Sequence, residues 1–290
     1  MKKIKKQLVL YRNWFICKCF DYSARLSSIR LPIDETAIFI VSIASYPKRD
    51  PLLPAVFQAL SKQTVLPQKW ILVLSVQDYE KGLPKHLQKL EKRGVEILWV
   101  KDNPYAVKKL IPVIQKYPQM GVVTLDDDII YHPSLLSGLV KEVNKKDGIV
   151  GYIGKSMLQK QGKLDMYYRE TKPASQSTDP NQVYLIGWGG IYYPPKSLNK
   201  RVLQMDAVHK IVPGRGSDIW FWAAAHATGT KQFCLGIPKD FNLGIPIPQN
   251  QDTQPKDQPG NDVLLERFQM AIDYFGIRER LLEVLPEKNL

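Results

Sequence analysis

Three consecutive carboxylates, Asp126, Asp127 and Asp128, close the apolar run Val122 to Leu125, and Ile129 and Ile130 follow at once. Like charges held this closely repel. Burying even one of them without a partner costs on the order of several kcal/mol. A single Asp at a strand end serves as a helix cap or sits in a solvated turn, but three between apolar β-formers call for a counter-charge. A divalent cation supplies it, and carboxylate oxygens suit Mg2+ or Mn2+. Such ions keep open positions that phosphate oxygens fill, so the expected ligand is a diphosphate bridged by metal. The chain as a whole is basic, +13 from 41 Lys and Arg against 28 Asp and Glu, which sets the acid cluster apart.

The elements around the cluster read as an alternation. "AIFIVSIAS" (37–45), "KWILVLSV" (69–76), "VEILWV" (95–100) and "GVVTLD" (121–126) are apolar, β-branched runs, as expected of strands buried on both faces. Between them, "LLPAVFQALSKQ", "PKHLQKLEKRG" and "AVKKLIPVIQKY" read as helices. Gly94 suits the position after a helix end, and Pro112 is expected to kink the third helix. Strand and helix alternating from residue 37 to about 145 predicts an α/β fold with a mostly parallel central sheet flanked by helices. Ligands of such sheets bind beyond the carboxyl ends of the strands, where "SYPKR", "SVQD", "KDN" and "DDD" all fall. Beyond residue 150 the pattern changes. A polar, turn-rich stretch (161–182) reads as an excursion, "SDIWFWAAAHATG" as a helix, and 248–261 as a Pro/Gln/Asp-rich loop. Leu264, Phe268, Ala271, Ile272 and Phe275 form one face of a closing helix.

"TLDDDII" after a buried strand resembles the Asp-x-Asp motif of GT-A glycosyltransferases, which use nucleotide-sugar donors. "IVSIASYPKR" is similar to the first strand and uridine-contacting loop of that fold. "KDNPYAVKKLIPVI" is similar to the segment preceding the Asp-x-Asp strand in bacterial family-2-like and exostosin-like members, "GWGGIYYPP" to their acceptor-side segment, and "GSDIWFW" to their Asp-Asp-Ile-Trp-Phe motif. The resemblance runs in order through residues 37–230. It departs at Ser217, where the family pattern has an acid.

The resemblance implies the site. Asp126, Asp127 and Asp128 are carried over as metal ligands and, for Asp126 and Asp127, as donor contacts. Ser45, Tyr46, Arg49, Asp78 and Lys109 are carried over as nucleotide-sugar contacts: Tyr46 for the base ring, Asp78 for its edge, Arg49 and Lys109 for the phosphates. Trp188, Gly189, Gly190 and Trp220 are carried over as acceptor contacts. Asp218 becomes the base that deprotonates the acceptor hydroxyl, in an inverting displacement. The cofactor is Mn2+ or Mg2+. The expected activity is transfer of a sugar, from a UDP-linked donor, to a glycan or lipid-linked acceptor in surface polysaccharide or lipooligosaccharide synthesis. His226 reads either as a late metal ligand or as a packed side chain.

The expected organisation is a basic arm (1–30) followed by one catalytic domain (31–290), with a nucleotide-binding half (37–145), an acceptor-side half (146–250) and C-terminal helices (261–286). Residues 1–20 carry Lys2, Lys3, Lys5, Lys6, Arg12 and Lys18 and no acid. The arm has no apolar run approaching the roughly 20 residues of a membrane span. It reads either as a terminal helix docked on the domain or as a peripheral anchor on anionic lipid. Three cysteines, Cys17, Cys19 and Cys234, make no disulfide framework, which points to the cytoplasm, peripherally at the inner face of the cell membrane if the arm binds lipid. Two other activities use some of the same features. A nucleotidyltransferase would show a glycine-rich triphosphate loop after the first strand, and "SYPKRD" has no glycine. A nucleic-acid-binding module would show a recognisable reader, and the surplus charge sits instead in the arm.

Overall fold

A computed structural model of the chain describes residues 2–160, 162–164, 172–238, 241–248 and 261–287. A long helix, α1 (Lys2–Leu26), precedes the sheet. Strands and helices then alternate: β1 (Phe39–Ala44), α2 (Leu53–Leu60), β2 (Trp70–Ser75), α3 (Lys85–Lys92), β3 (Val95–Val100), α4 (Ile111–Lys116) and β4 (Gly121–Leu125). Every residue of β2 and β4 is buried. Successive side chains of a strand point to opposite faces, so one sheet supplies two cores. Ile40, Ile71, Val73 and Val122 join one. Phe39, Val41, Ile43, Leu72, Leu74 and Val123 join the other, against Leu53, Val56, Phe57 and Leu60 of α2.

The second half adds β5 (Ile129–Tyr131), α5 (Leu135–Val143), β6 (Gly148–Gly151), β7 (Gly154–Ser156), the short pair β8 (Gln159–Lys160) and β9 (Lys163–Leu164), β10 (Val183–Leu185) and β11 (Ile191–Tyr193). Then come α6 (Met205–Ile211), α7 (Ser217–Thr228), β12 (Lys231–Cys234), β13 (Gly244–Pro246), α8 (Asn261–Phe275) and α9 (Arg278–Val284). Among the described residues the main sheet has seven strands in the order β12-β6-β11-β4-β1-β2-β3. All neighbours pair in parallel except β11, which runs antiparallel to both β4 and β6. The expected α/β class, a mostly parallel central sheet flanked by helices, is the architecture found. Residues 165–171 of the polar stretch and 249–260 of the Pro-rich loop lie outside the described residues.

The reversal of β11 matters for function. Ile191 pairs with Thr124, so the chain entering β11 arrives beside the carboxyl end of β4, where the acid cluster begins. From Ile219 to Ala225 α7 is apolar on all sides, with Trp220, Phe221, Trp222 and Ala223 to Ala225 buried, as befits a helix enclosed by the core. Phe268, Ala271, Ile272 and Phe275 of α8 belong to the same core. Gly229, at φ +78°, ends α7 in the left-handed conformation.

One local expectation needs correction. Pro112 does not kink a helix. Residues Tyr105–Lys109 form a separate 3-10 turn, and Pro112 lies in the first turn of α4, where its missing N–H has no helical partner to lose. Of the two readings of the arm, docking on the domain holds for its second half. This half docks on α2, with Cys17 and Ala24 buried and Gln58 Nε2 donating to Ser23 Oγ at 3.1 Å. Leu8, Val9, Leu10, Tyr11, Trp14 and Phe15 in its first half are 45–67% exposed. No helix among the described residues is long and apolar enough to cross a membrane.

Candidate active site

The three acids form the turn from β4 into β5, and each is treated differently. Asp126 stays part-exposed and accepts from Lys109 Nζ at 2.8 Å. Its backbone N–H donates to the Tyr131 hydroxyl at 2.9 Å, and that hydroxyl donates to the Trp188 carbonyl at 3.2 Å. Asp127 is 4% exposed and accepts from Ser45 Oγ at 2.6 Å and Arg49 Nη1 at 2.9 Å. Burial pushes its carboxyl up to about 6, against the lowering effect of Arg49 and Ser45. Asp128 stays part-exposed with one oxygen 3.2 Å from the same Arg49 nitrogen. Mutual repulsion of the acids is thus relieved by two cations from other strand ends, Arg49 after β1 and Lys109 before α4.

Further along the same edge lie two polar clusters. Asp50, 2% exposed, accepts from the Tyr79 hydroxyl at 2.9 Å, and His86 Nε2 lies 2.7 Å from its other oxygen. Asp78 accepts from Asn103 Nδ2 at 3.0 Å. Lys108, itself buried, donates to Asn103 Oδ1 at 3.1 Å and lies 3.8 Å from Asp78. Burial lowers the Lys108 ammonium, with Asp78 and Asp127 opposing. Tyr46 sits half-buried beside Arg49, within the field of Asp127 and Asp128.

The β11 side completes the site. Residues Gly187–Gly189 form a 3-10 turn, and the Gly187 N–H donates to Asp218 Oδ2 at 3.0 Å. A Cβ on Gly187 would lie 2.8 Å from Asp218 Oδ1 and 3.3 Å from Lys109 Nζ. Lys109 therefore stands between Asp126 and Asp218. Burial alone would lower its pKa; Asp126 and then Asp218 raise it instead, so it stays cationic. Burial raises the Asp218 carboxyl, with Lys109 and the Gly187 N–H opposing. Asp218 also lines an open cavity of about 230 Å³ with Arg215, Ser217, Ile186 and Leu264. Trp188 exposes 42% of its surface above this turn.

The structure brings Ser45, Tyr46, Arg49, Lys109, Asp126, Asp127, Asp128, Trp188 and Asp218 to one edge, with Asp78 further out. It does not bring Trp220. That ring is fully buried, donates Nε1–H to the Val202 carbonyl at 3.0 Å and stacks on Tyr274, so it offers no face to an acceptor. Gly189 and Gly190 are buried in packing: a Cβ on Gly189 would meet Ile153 at 2.8 Å, and Gly190 holds φ +82° beside Leu125. His226 is packed against Trp222, 5% exposed. Asp127, expected among the metal ligands, has its oxygens taken by Ser45 and Arg49.

Among the described residues no three His, Cys, Asp or Glu side chains converge on a metal position. The set Asp126 and Asp128 fits an ion held by one or two carboxylates and completed by substrate phosphates, the usual manner for Mg2+. It does not fit a resident ion caged by protein alone.

Sequence reasoning passed over Gly187, Lys108, Asn103, Tyr131 and the Asp50–Tyr79–His86 cluster. Gly187 stood within "GWGG" and Asn103 within "KDN", both already singled out, whereas nothing local marks Tyr131 or His86.

A mostly parallel α/β sheet carrying an acid-rich, cation-balanced site at its carboxyl edge is the class that fold and site define. No family model and no curated protein matches the chain. Among solved structures it is similar to S. aureus TarS 1-349 in complex with UDP-GlcNAc: 11% identity, TM-score 0.49, 83% of this chain and 66% of that one. The chain thus spans just under two thirds of that protein. It is also similar to glucosyl-3-phosphoglycerate synthase from Mycobacterium tuberculosis in complex with Mn2+, UDP and phosphoglyceric acid (12% identity, TM-score 0.48, 83% and 79%). A third is the mannosyltransferase PcManGT from Pyrobaculum calidifontis in complex with GDP-Man and Mn2+ (10%, TM-score 0.46, 80% and 68%).

Proposed function

We propose that the chain is a glycosyltransferase that moves a sugar from a nucleotide-sugar donor, UDP-linked by the resemblance of its first loop, to a glycan or lipid-linked acceptor in surface glycan synthesis. The observation that carries this reading is the row Asp126–Lys109–Asp218 at the carboxyl edge of the sheet, with Gly187 fixing Asp218 beside an open cavity. Asp126 and Asp128 are the residues that would hold a divalent ion, which when bound offsets charge on the leaving diphosphate. Lys109 and Arg49 supply fixed positive charge at the same place, preorganised by their acid partners. Asp218 takes the proton from the acceptor hydroxyl, and the Gly187 N–H holds its other oxygen in place. With the base on the acceptor side, direct displacement and inversion at the anomeric carbon follow. Asp78, braced by Asn103 and Lys108, contacts the base, and Trp188 offers a ring face to the acceptor.

The exposed apolar first half of α1, preceded by a run of lysines in the sequence, supports peripheral binding to an anionic inner membrane face, where a lipid-linked acceptor is presented.

The test is a thermal-shift screen of nucleoside diphosphates with and without Mn2+. Bound ligand raises Tm by mass action, so the expected result is a Mn2+-dependent shift for one nucleotide that Asp128→Asn abolishes. No shift with any nucleoside diphosphate would refute the donor reading, and an unaltered shift in Asp128→Asn would refute the metal assignment.

A further inference from the structure

The cavity beneath Asp218 has a chemistry that the transfer step does not use. Ser217 and Asp218, its lining residues from α7, form the first turn of that 12-residue helix. Ile219 lines it as well. The N-cap is Gly216, which has no side chain to accept their N–H groups, and the first N–H groups of a helix have no intrahelical acceptor. Ser217 is 7% exposed and lines the cavity. Arg215 lines the same cavity and is close enough to Asp218 to lower its pKa. Arg267 donates to the Arg215 carbonyl, with Glu266 next to it in the chain. Asp218, the one acid lining the cavity among the described residues, is already balanced by Lys109 and the Gly187 N–H. A helix start whose first N–H groups have no intrahelical acceptor, a serine lining the cavity and an arginine beside it together make an anion site. At position 217, moreover, the hydroxyl stands where the resemblance would put an acid. Ser217 can donate to an anion that a carboxylate would repel.

We propose that the acceptor carries a phosphate group, seated in this cavity against Ser217, Arg215 and the first turn of α7, so that its neighbouring hydroxyl faces Asp218. The proposal rests on the glycosyltransferase reading and names the acceptor class for that same site. Ser217 acts as a specificity residue: its hydroxyl and the N–H groups of the helix start select a phosphorylated acceptor over a neutral one.

The experiment titrates the full chain with glucose 6-phosphate and with glucose, its uncharged counterpart, by calorimetry. Ser217→Asp restores a negative charge at a helix position that favours acids, so the fold is expected to persist. Arg215→Gln provides an independent variant, and Tm is the fold control for both. The expected result is binding of the phosphate at least about tenfold tighter than glucose, with the preference cut about tenfold in each variant, since each loses a charge-assisted contact. Equal affinity for the two sugars, or a preference that survives in both variants, would overturn the proposal. A third arm repeats the wild-type titration in saturating UDP and Mn2+. A preserved preference is expected; its loss would assign the anion site to the donor's own diphosphate and overturn the acceptor assignment. If nucleoside diphosphates fail to bind while the glucose 6-phosphate preference remains, the donor reading falls and the anion site stands.

Discussion

Gly187→Ala is the sharpest single test of the geometry. Gly187 has no positive φ, so alanine strains no backbone there. The substitution instead pushes on the site. Its Cβ would sit 2.8 Å from Asp218 Oδ1 and 3.3 Å from Lys109 Nζ, and ordinary contact begins at 3.4 Å. The carboxylate must therefore retreat by about half an ångström or more, or break the 3.0 Å hydrogen bond from the Gly187 N–H. A displacement approaching 1 Å at reacting atoms costs on the order of a hundredfold in rate, equivalent to about 2.7 kcal/mol of activation free energy. Steady-state transfer kinetics are the assay, with kcat and donor KM measured separately and Tm as a control. The expected outcome is a kcat about a hundredfold lower, a donor KM changed only a few-fold, and an almost unchanged Tm. Gly189→Ala is the contrasting variant. Its Cβ would meet Ile153 in the core at 2.8 Å, so it should lower Tm by overpacking instead. A Gly187→Ala enzyme with wild-type kcat would refute the placement of Asp218 as base.

Three further outcomes follow. NMR of the transfer product should show the anomeric configuration inverted; retention would remove Asp218 from the base role. Deleting residues 1–15 should release the protein from anionic liposomes in a sedimentation assay while leaving donor hydrolysis intact, because the exposed cluster Leu8, Val9, Leu10, Tyr11, Trp14 and Phe15 goes with it and the docked segment around Cys17 and Ala24 remains; equal sedimentation of both forms would exclude the anchor. His226 is held neutral: burial, then Arg280, lowers its pKa to about 4, and Nε2 has no partner. A depressed folded-state pKa for a base means stability that is present above about pH 6.5 and lost as pH falls toward 4, by at most about 3 kcal/mol. Urea unfolding of His226→Leu should show that loss removed, and parallel pH profiles for the two proteins would contradict it.

The alternation of strands and helices was legible because parallel strands buried on both faces need continuous apolar runs, and these stand out at β1, β2 and β4. The acid cluster was legible for the opposite reason: three carboxylates after such a run are electrostatically unexplained until something balances them. The chain spaces of 78 residues between Arg49 and Asp127, and 17 between Lys109 and Asp126, carry no such signal. Trp220 shows the limit from the other side. An aromatic beside a candidate base looks available in sequence, yet helical geometry turns it by its own angle into the Tyr274 and Phe275 rings.

By itself, then, the sequence determined the α/β class, the edge of the sheet where ligands gather, and the residue types present there, because periodicity and charge are local properties of the chain. Only the tertiary structure decided which cation answers which acid. It buried Asp127 under Arg49 and Ser45, left Asp126 and Asp128 part-exposed, and set Gly187 against Asp218. Those pairings depend on the antiparallel return of β11 beside β4, a long-range contact that brings distant segments together and that no local pattern encodes.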